Sequence, residues 1–531
     1  MVSHPVSNEL TVHRHETADA IDEFHAAYDD ALERVRARLP LRRSHRIGAN
    51  ERGEDTTMTV ASPVDHALEI GTFPVAGETT VDAAVDAAAF AQTDWAAAGV
   101  AARVEIVRDT AAVLRSEKFD LAALITLENG KDRNEAMADV DEAIDFLEYY
   151  ADVYARADGY REPTGEPMVG ERCFRVRRPY GVFGVIGPFN FPLAILTGMT
   201  TGAVVTGNAA VVKPAESTSA IAHAMLDAFE TAGIPPGVIN LITGEGDPTG
   251  RAIVAHPEVD GIVFTGSRAV GTSIQQTFLE KEKPGPVIAE LGGKNAVIVT
   301  GAAEYEDAVN GVAAAAFGFA GQKCSATSRV YVVTSRYDSF VEDLAERAAA
   351  FPNRPPTEPG MGLSPVIDED ALDRYRSITE TAEEIGTVHA GGTTAADENL
   401  PDGRYVRPTV VTDVPHGHEL TRVEHFLPWV TVHPIEDLEE GIRKTNDSDF
   451  GLCAGIFSTD EVELEAWFDR VEAGMTYANR TRSATTGALV GAQAFGGWNA
   501  SGTTGNFAGG PWYLPQFTRE QTRTRVSEPG S

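Results

Sequence analysis

Residues Gly181 to Lys213 read GVFGVIGPFNFPLAILTGMTTGAVVTGNAAVVK, and the first 32 of them carry no charged side chain. A membrane-spanning helix needs only about 20 apolar residues, so the stretch is long enough to imitate one. Pro188, Asn190, Pro192 and Asn208, set among glycines, break the imitation. The segment parses instead as a strand (GVFGVIG), a loop (PFNFP), a buried helix (LAILTGMTTGAVVTG) and a second strand (NAAVVKP). Unbroken apolarity suits a βαβ unit, because parallel strands are covered on both faces.

The same alternation continues downstream. A capped helix is expected from about Ser217 to Ala232, then the strand VINLITG, the helix DPTGRAIVAH, the strand GIVFTG and a helix opening at Ser267. Strand and helix in turn predict a parallel α/β sheet. Upstream, residues 80–156 are rich in Ala and Glu with helical periodicity, and GYREPTGEPMVGERCFRVRRP reads as a hairpin or projecting arm. From Gly292 onward a second set of α/β elements (AVIVTG, SRVYVVT, FLPWVTVHP, CAGIFS) predicts a separate domain. A chain of 531 residues has room for two or three domains. No internal repeat or low-complexity segment is read beyond the polar termini.

Charge narrows the partners. Against 79 acidic residues stand 44 basic ones, a net charge of −35, which repels nucleic acid and anionic membranes. Eight of those basic residues are Lys, so Arg supplies nearly all the positive charge, and the acidic surface looks like that of a halophile. High salt screens the self-repulsion such a charge produces. The three cysteines, Cys173, Cys324 and Cys453, are an odd number, so at least one is a free thiol and a reducing compartment is expected. The opening MVSHPVSNEL lacks a basic stretch followed by an apolar one, and a cytoplasmic location is expected.

Three residue types then point to chemistry. Cys324 lies in GFAGQKCSATSRVYV, Glu290 lies in ELGGKN beside two glycines, and Asn190 lies in the apolar loop PFNFP. A thiol, a carboxylate and a side-chain amide are the parts acyl transfer needs: a nucleophile, a base for water and an oxyanion donor. No Cys/His spacing suited to zinc is read, and no metal is expected.

Taken together and in this order, GPFNFPL, VVKPAEST, FTGSRAVG, ELGGKN and GQKCSA resemble the aldehyde dehydrogenase superfamily, over about residues 55 to 520. The resemblance implies an α/β fold with a Rossmann-type NAD-binding domain (1–157 and 178–291), an α/β catalytic domain (292–510) and a small β-strand oligomerisation arm (158–177 and 511–531). It implies that Cys324 forms a thioester, that Asn190 and the Cys324 backbone N–H hold the oxyanion, and that Glu290 is the general base of hydrolysis. Lys213 and Glu216 would bracket the adenosine ribose, where a carboxylate favours NAD over NADP while leaving NADP open. Gly246, Gly266, Ser267 and Val270 would line the adenine and pyrophosphate, with Ser267 at a helix N-terminus. Glu424 and Phe426 would reach the nicotinamide ribose, although Leu427 stands where the family has glycine.

Within the superfamily, GQKCSA, EAIDFLEYYA (142–151), TGALVGAQAFGG (486–497) and AGGPWYLPQF (508–517) resemble the 1-pyrroline-5-carboxylate dehydrogenases. That likeness implies glutamate γ-semialdehyde as substrate. Ser325, Gly487 and Ala488 would anchor its carboxylate, Phe191 and Phe495 would sandwich its chain, and Glu142 would lie near its amino group. The residues flanking the anchor depart from the family pattern, so another semialdehyde, such as that of succinate or 2-oxoglutarate, stays open. So does a catalytically silent relative kept for structure or binding, against which the joint presence of Cys324, Glu290 and Asn190 counts. A homo-oligomer is expected from the arm and the C-terminal strand.

Overall fold

The computed structural model describes residues 8–395, 399–481 and 489–526. The 181–213 stretch folds as strand β1 (Val182–Ile186), helix α3 (Ala194–Val205) and strand β2 (Ala209–Lys213), with two helices packed ahead of it, α1 (Lys118–Asn129) and α2 (Arg133–Arg156). Successive strand residues point to opposite faces. Accordingly Phe183, Val185, Ala210 and Val212 join the core under α2 and α3, while Val182, Ile186, Ala209 and Val211 join the core on the other face. No helix among the described residues is long and apolar enough to cross a membrane.

The chain continues through helix α4 (Ser219–Thr231), strands β3 (Ile239–Leu241) and β4 (Gly261–Thr265), helix α5 (Arg268–Leu279) and strand β5 (Val287–Glu290). The sheet order is β5-β4-β1-β2-β3, all parallel, closed at one edge by the antiparallel strands His45–Ile47 and Asn50–Arg52. A second sheet is built from β6 (Asn295–Val299), β7 (Thr327–Val333), β8 (Thr387–Ala390), β9 (Thr409–Thr412), β10 (Trp429–Ile435), β11 (Cys453–Phe457) and β12 (Met475–Ala478). Its order is β8-β9-β10-β7-β6-β11-β12, parallel except for β8.

A three-stranded ribbon stands apart from both sheets. Thr518–Val526 pairs antiparallel with Glu171–Pro179, which pairs with Glu162–Gly165. Met168 and Val169, at the turn of that hairpin, are fully open to solvent or nearly so. Before reaching the ribbon the chain returns to the first core, where Tyr513, Leu514 and Phe517 are buried.

One helix end differs from its expected form. Helix α4 begins at Ser219 and no side chain of its own segment caps it. The Ala220 and Ile221 N–H groups donate instead to the two carboxylate oxygens of Glu128, at 2.7 and 3.0 Å. The exposed donors of a helix start need partners, and here a buried acid 92 residues away supplies them.

Candidate active site

In a doubly wound sheet, ligands enter at the carboxyl ends of the strands where the strand order reverses. Here β1 lies between β4 and β2, and a cleft of about 1050 Å³ opens where these strands end. Asn190, Lys213, Glu216, Gly246, Gly266, Ser267 and Val270 line it from the first sheet, and Cys324, Glu424 and Phe426 from the second. The residues expected to serve a cofactor are thus brought together with the thiol and the side-chain amide.

On the first-sheet side, Lys213 is buried and donates to the Pro214 and Gly244 carbonyls, each at 2.8 Å, with the Glu216 carboxylate 3.7 Å from its ammonium. Burial lowers the Lys213 pKa, and Glu216 works against that shift. Ser267 caps α5 by accepting from Val270 N–H at 3.4 Å, and this helix start, with Ser267 and Val270, lines the cleft. Val270 is half-exposed, an apolar surface beside the cap.

On the other side, Glu424 accepts from the Gly293 N–H at 2.9 Å, and burial pushes its carboxyl up to about 7. Phe426 has φ of +60° and meets Phe189 edge-on, ring centroids 5.7 Å apart. The backbone at Leu427, where the family has glycine, is pressed against Gly321 of the GQKC motif. Gly321 has φ of +65°, and a Cβ there would stand 2.1 Å from the Leu427 carbonyl oxygen. Glycine is required at 321 for both reasons.

Cys324 lies in a tight turn between Gly321 and β7, closed by Ala326 N–H donating to the Lys323 carbonyl at 3.0 Å. Burial raises its thiol pKa far above the usual range, and the Glu424 and Glu290 carboxylates add to this. The Ser325 backbone N–H opposes it. Glu290 is itself pushed well above the carboxylate range by burial, against a hydrogen bond from the Gly497 backbone, and its Oε2 has no partner among the described residues. Glu290 does not line the open cleft; it stands near enough to Cys324 for its charge to act on the thiol.

Of the residues expected to meet substrate, Ser325, Phe495, Phe191 and Glu142 are described, and none of them lines this cleft. Ser325 is buried, and Phe495 packs into the same apolar cluster as Cys324. Phe191 has its ring under the Lys131 ammonium. The Glu142 carboxyl is pushed up to about 8 by burial and by Asp139. Gly487 and Ala488 lie outside the described residues.

Several residues that sequence reasoning passed over hold this arrangement. They centre on Glu128-Asn129-Gly130-Lys131, the last turn of α1 and the loop after it. Glu128 caps α4; Asn129 Nδ2 donates to the Phe189 carbonyl at 2.7 Å, next to Asn190; Lys131 pairs with Asp139 at 2.9 Å. Gly130 turns the chain with φ of +84°. Lys323, already read from the sequence as part of GQKCSA, gains a partner that was not, pairing with Glu135 of α2 at 2.6 Å. The available signal was the pattern ENGKD, a polar cluster at the end of an apolar helix whose Asp132 caps the next one.

The aldehyde dehydrogenase family model matches residues 50–523. The chain is 35% identical over 509 residues to a 1-pyrroline-5-carboxylate dehydrogenase of Geobacillus thermodenitrificans, covering 94% of this chain and 97% of the relative. It superimposes with a TM-score of 0.91 and 33% identity on the Thermus 1-pyrroline-5-carboxylate dehydrogenase with bound NAD, covering 99% of this chain and 100% of that one. A betaine aldehyde dehydrogenase from Staphylococcus aureus, in complex with NAD+, is more distant at 28% identity and a TM-score of 0.86, covering 95% and 98%.

Proposed function

This chain belongs to the aldehyde dehydrogenase family and is an aldehyde-oxidising oxidoreductase, and on that premise we propose that it oxidises L-glutamate γ-semialdehyde, released from 1-pyrroline-5-carboxylate, to L-glutamate with NAD in proline breakdown. The observation that carries the chemistry is the joining of Cys324 and Asn190 to a cleft at the sheet's reversal point, with, near the thiol, a Glu290 oxygen that has no partner among the described residues. The named relatives support the choice of substrate.

The cleft suits a dinucleotide by its donor set. The N-terminus of α5, at the cleft wall, favours a pyrophosphate, and Glu216 and Glu424 offer acceptors for ribose hydroxyls. Gly246, Gly266 and Val270 would border the adenine and pyrophosphate, Lys213 would share the adenosine ribose with Glu216, and Phe426 would lie with Glu424 at the nicotinamide ribose. A carboxylate at 216 favours NAD and leaves NADP open. NAD, when bound, supplies the hydride acceptor that takes the addition product to the acyl level.

Cys324, as thiolate, adds to the aldehyde carbon, and the resulting oxyanion is held by the Asn190 amide and the Cys324 N–H. After oxidation the acyl group remains on sulfur as a thioester. Glu290 then takes a proton from water as the water attacks the thioester carbonyl; the C–S bond breaks, the acid leaves and the thiolate is restored. Ser325, Gly487 and Ala488 would fix the substrate's far carboxylate, Phe191 and Phe495 its methylenes, and Glu142 its ammonium.

The same reading assigns 1–157 and 178–291 to cofactor binding, 292–510 to catalysis, and the 158–177 and 511–531 segments to subunit exchange in a homo-oligomer. The net charge of −35 supports a cytoplasm rich in salt, as in a halophile, and counts against nucleic acid and anionic membranes as partners. The test is initial-rate NADH formation with the semialdehydes of glutamate, succinate and 2-oxoglutarate in molar salt. Glutamate semialdehyde is expected to have the highest kcat/KM; a higher value for either of the others overturns the substrate.

A further inference from the structure

We propose that Asn295 is a positioning residue that sets the direction of the Cys324 sulfur and of the backbone donors around it. The proposal rests on the reading of Cys324 as the nucleophile. Asn295 opens β6 and is 4% exposed. Its Nδ2 donates to two carbonyls of the nucleophile turn, Cys324 O and Ala326 O, each at 2.8 Å. Its Oδ1 accepts from the Cys453 N–H at 3.0 Å, at the start of β11. Both amide hydrogens are used and the acceptor is used, a set that only a side-chain amide of this length provides here. Asp lacks the donors, Ser brings one, and Gln is a methylene too long for a packed site.

The consequence runs through a single peptide plane. The carbonyl of Cys324 and the N–H of Ser325 belong to the same planar unit and point in opposite directions. By holding the carbonyl, Asn295 fixes the direction of the Ser325 N–H, the group that works against the upward shift of the thiol pKa. The approach of Gly293 closes the remaining space, since a Cβ there would lie 2.5 Å from the same Cys324 oxygen. The turn belongs to no helix or strand at Cys324, so its ψ is set by this grip together with the Ala326 N–H bond to the Lys323 carbonyl that closes the turn. A hydrogen bond donated to sulfur favours the thiolate over the thiol, so the grip on the carbonyl bears on the reactivity of the sulfur as well as on its place.

The experiment uses the full-length protein and its Asn295→Asp and Asn295→Ser variants. Alkylation of Cys324 by iodoacetamide, read by peptide mapping, is followed against pH without cofactor or substrate. Steady-state kinetics and cofactor affinity are measured beside it. For Asn295→Asp the alkylation midpoint is expected to move up by about one pH unit, the size of a lost hydrogen bond to a charged group. Its kcat is expected to fall about 100-fold, as for a displaced reacting group, with KM and cofactor affinity little changed. Asn295→Ser, which keeps one donor, is expected to fall between and serves if the Asp variant does not fold. A purely structural Asn295 would lower the melting temperature while leaving the alkylation profile of folded variants on that of the wild type, and that result overturns the proposal. The two readings separate cleanly. If the parent protein oxidises no aldehyde, or Cys324→Ala keeps its activity, the proposed function fails while the alkylation shift still reports on Asn295.

Discussion

The Lys131 ammonium lies 3.4 Å from the centroid of the Phe191 ring while donating to Asp139 Oδ2 at 2.9 Å, and neither member of that ion pair is exposed. Asp139 also accepts from Ala194 N–H at 2.7 Å, at the first turn of α3. One buried pair therefore holds a ring at the edge of the active site and the start of the helix that follows it. Lys131→Met leaves Asp139 buried without its cation, and removing one partner of such a pair costs about 3–5 kcal/mol. Urea unfolding is expected to show this loss, with much of it recovered in the double variant Lys131→Met, Asp139→Asn. Additive losses in the double variant would count against the pair as the cause.

Cys324→Ala is expected to abolish NADH formation while the melting temperature stays near that of the parent, since the substitution removes one sulfur at the edge of an apolar cluster. Glu290→Gln should instead give a full burst of NADH, one per site, followed by turnover slowed about 100-fold or more. Because burial holds both the Glu290 carboxyl and the Cys324 thiol above their usual ranges, each is protonated at low pH. Parent activity should rise toward alkaline pH, and stopped-flow traces should assign the acylation limb to the thiol and the deacylation limb to the acid. Unchanged turnover in Glu290→Gln removes the acid from the base role.

Glu142 gives a second pH dependence. Its carboxyl is pushed up to about 8, so a substrate ammonium meets mostly the neutral acid at pH 7 and the carboxylate above 8. The kcat/KM for glutamate semialdehyde should rise through that region. Glu142→Gln should lose the rise and raise KM about tenfold, the worth of a charge-assisted hydrogen bond. For stability the sign is opposite. A carboxyl whose folded pKa lies above its unfolded value of about 4.3 contributes stability below that value and loses it as pH rises through about 8. The Gln variant should therefore show a flatter fall of Tm with pH between those limits.

A net charge of −35 should make the folded state sensitive to salt. The Debye length shrinks from about 30 Å at 0.01 M to about 3 Å at 1 M, which removes most long-range repulsion between surface carboxylates. Melting temperature is expected to climb steeply from low salt to molar KCl. A flat curve would sink the proposal of a salt-rich cytoplasm.

What could be read from residues alone was whatever repeats along the chain or stands in a compact motif. The apolar run at 181–212 sufficed for a βαβ unit, because a strand covered on both faces has no polar alternative. The motifs around Asn190, Lys213, Ser267, Glu290 and Cys324 sufficed for the family. Left to the tertiary structure were the contacts that hold those motifs still. The partners involved are backbone carbonyls and N–H groups, which the main chain carries throughout and which no side-chain identity announces. Asn129 reaches the Phe189 carbonyl across 60 residues, Asn295 the Cys324 carbonyl across 29, and Glu128 the start of α4 across 92. The sequence by itself determined the order of strands and helices and the kind of chemistry. Only the packed fold decided which ordinary polar side chains aim the nucleophile, because that depends on which main-chain groups come to lie opposite them.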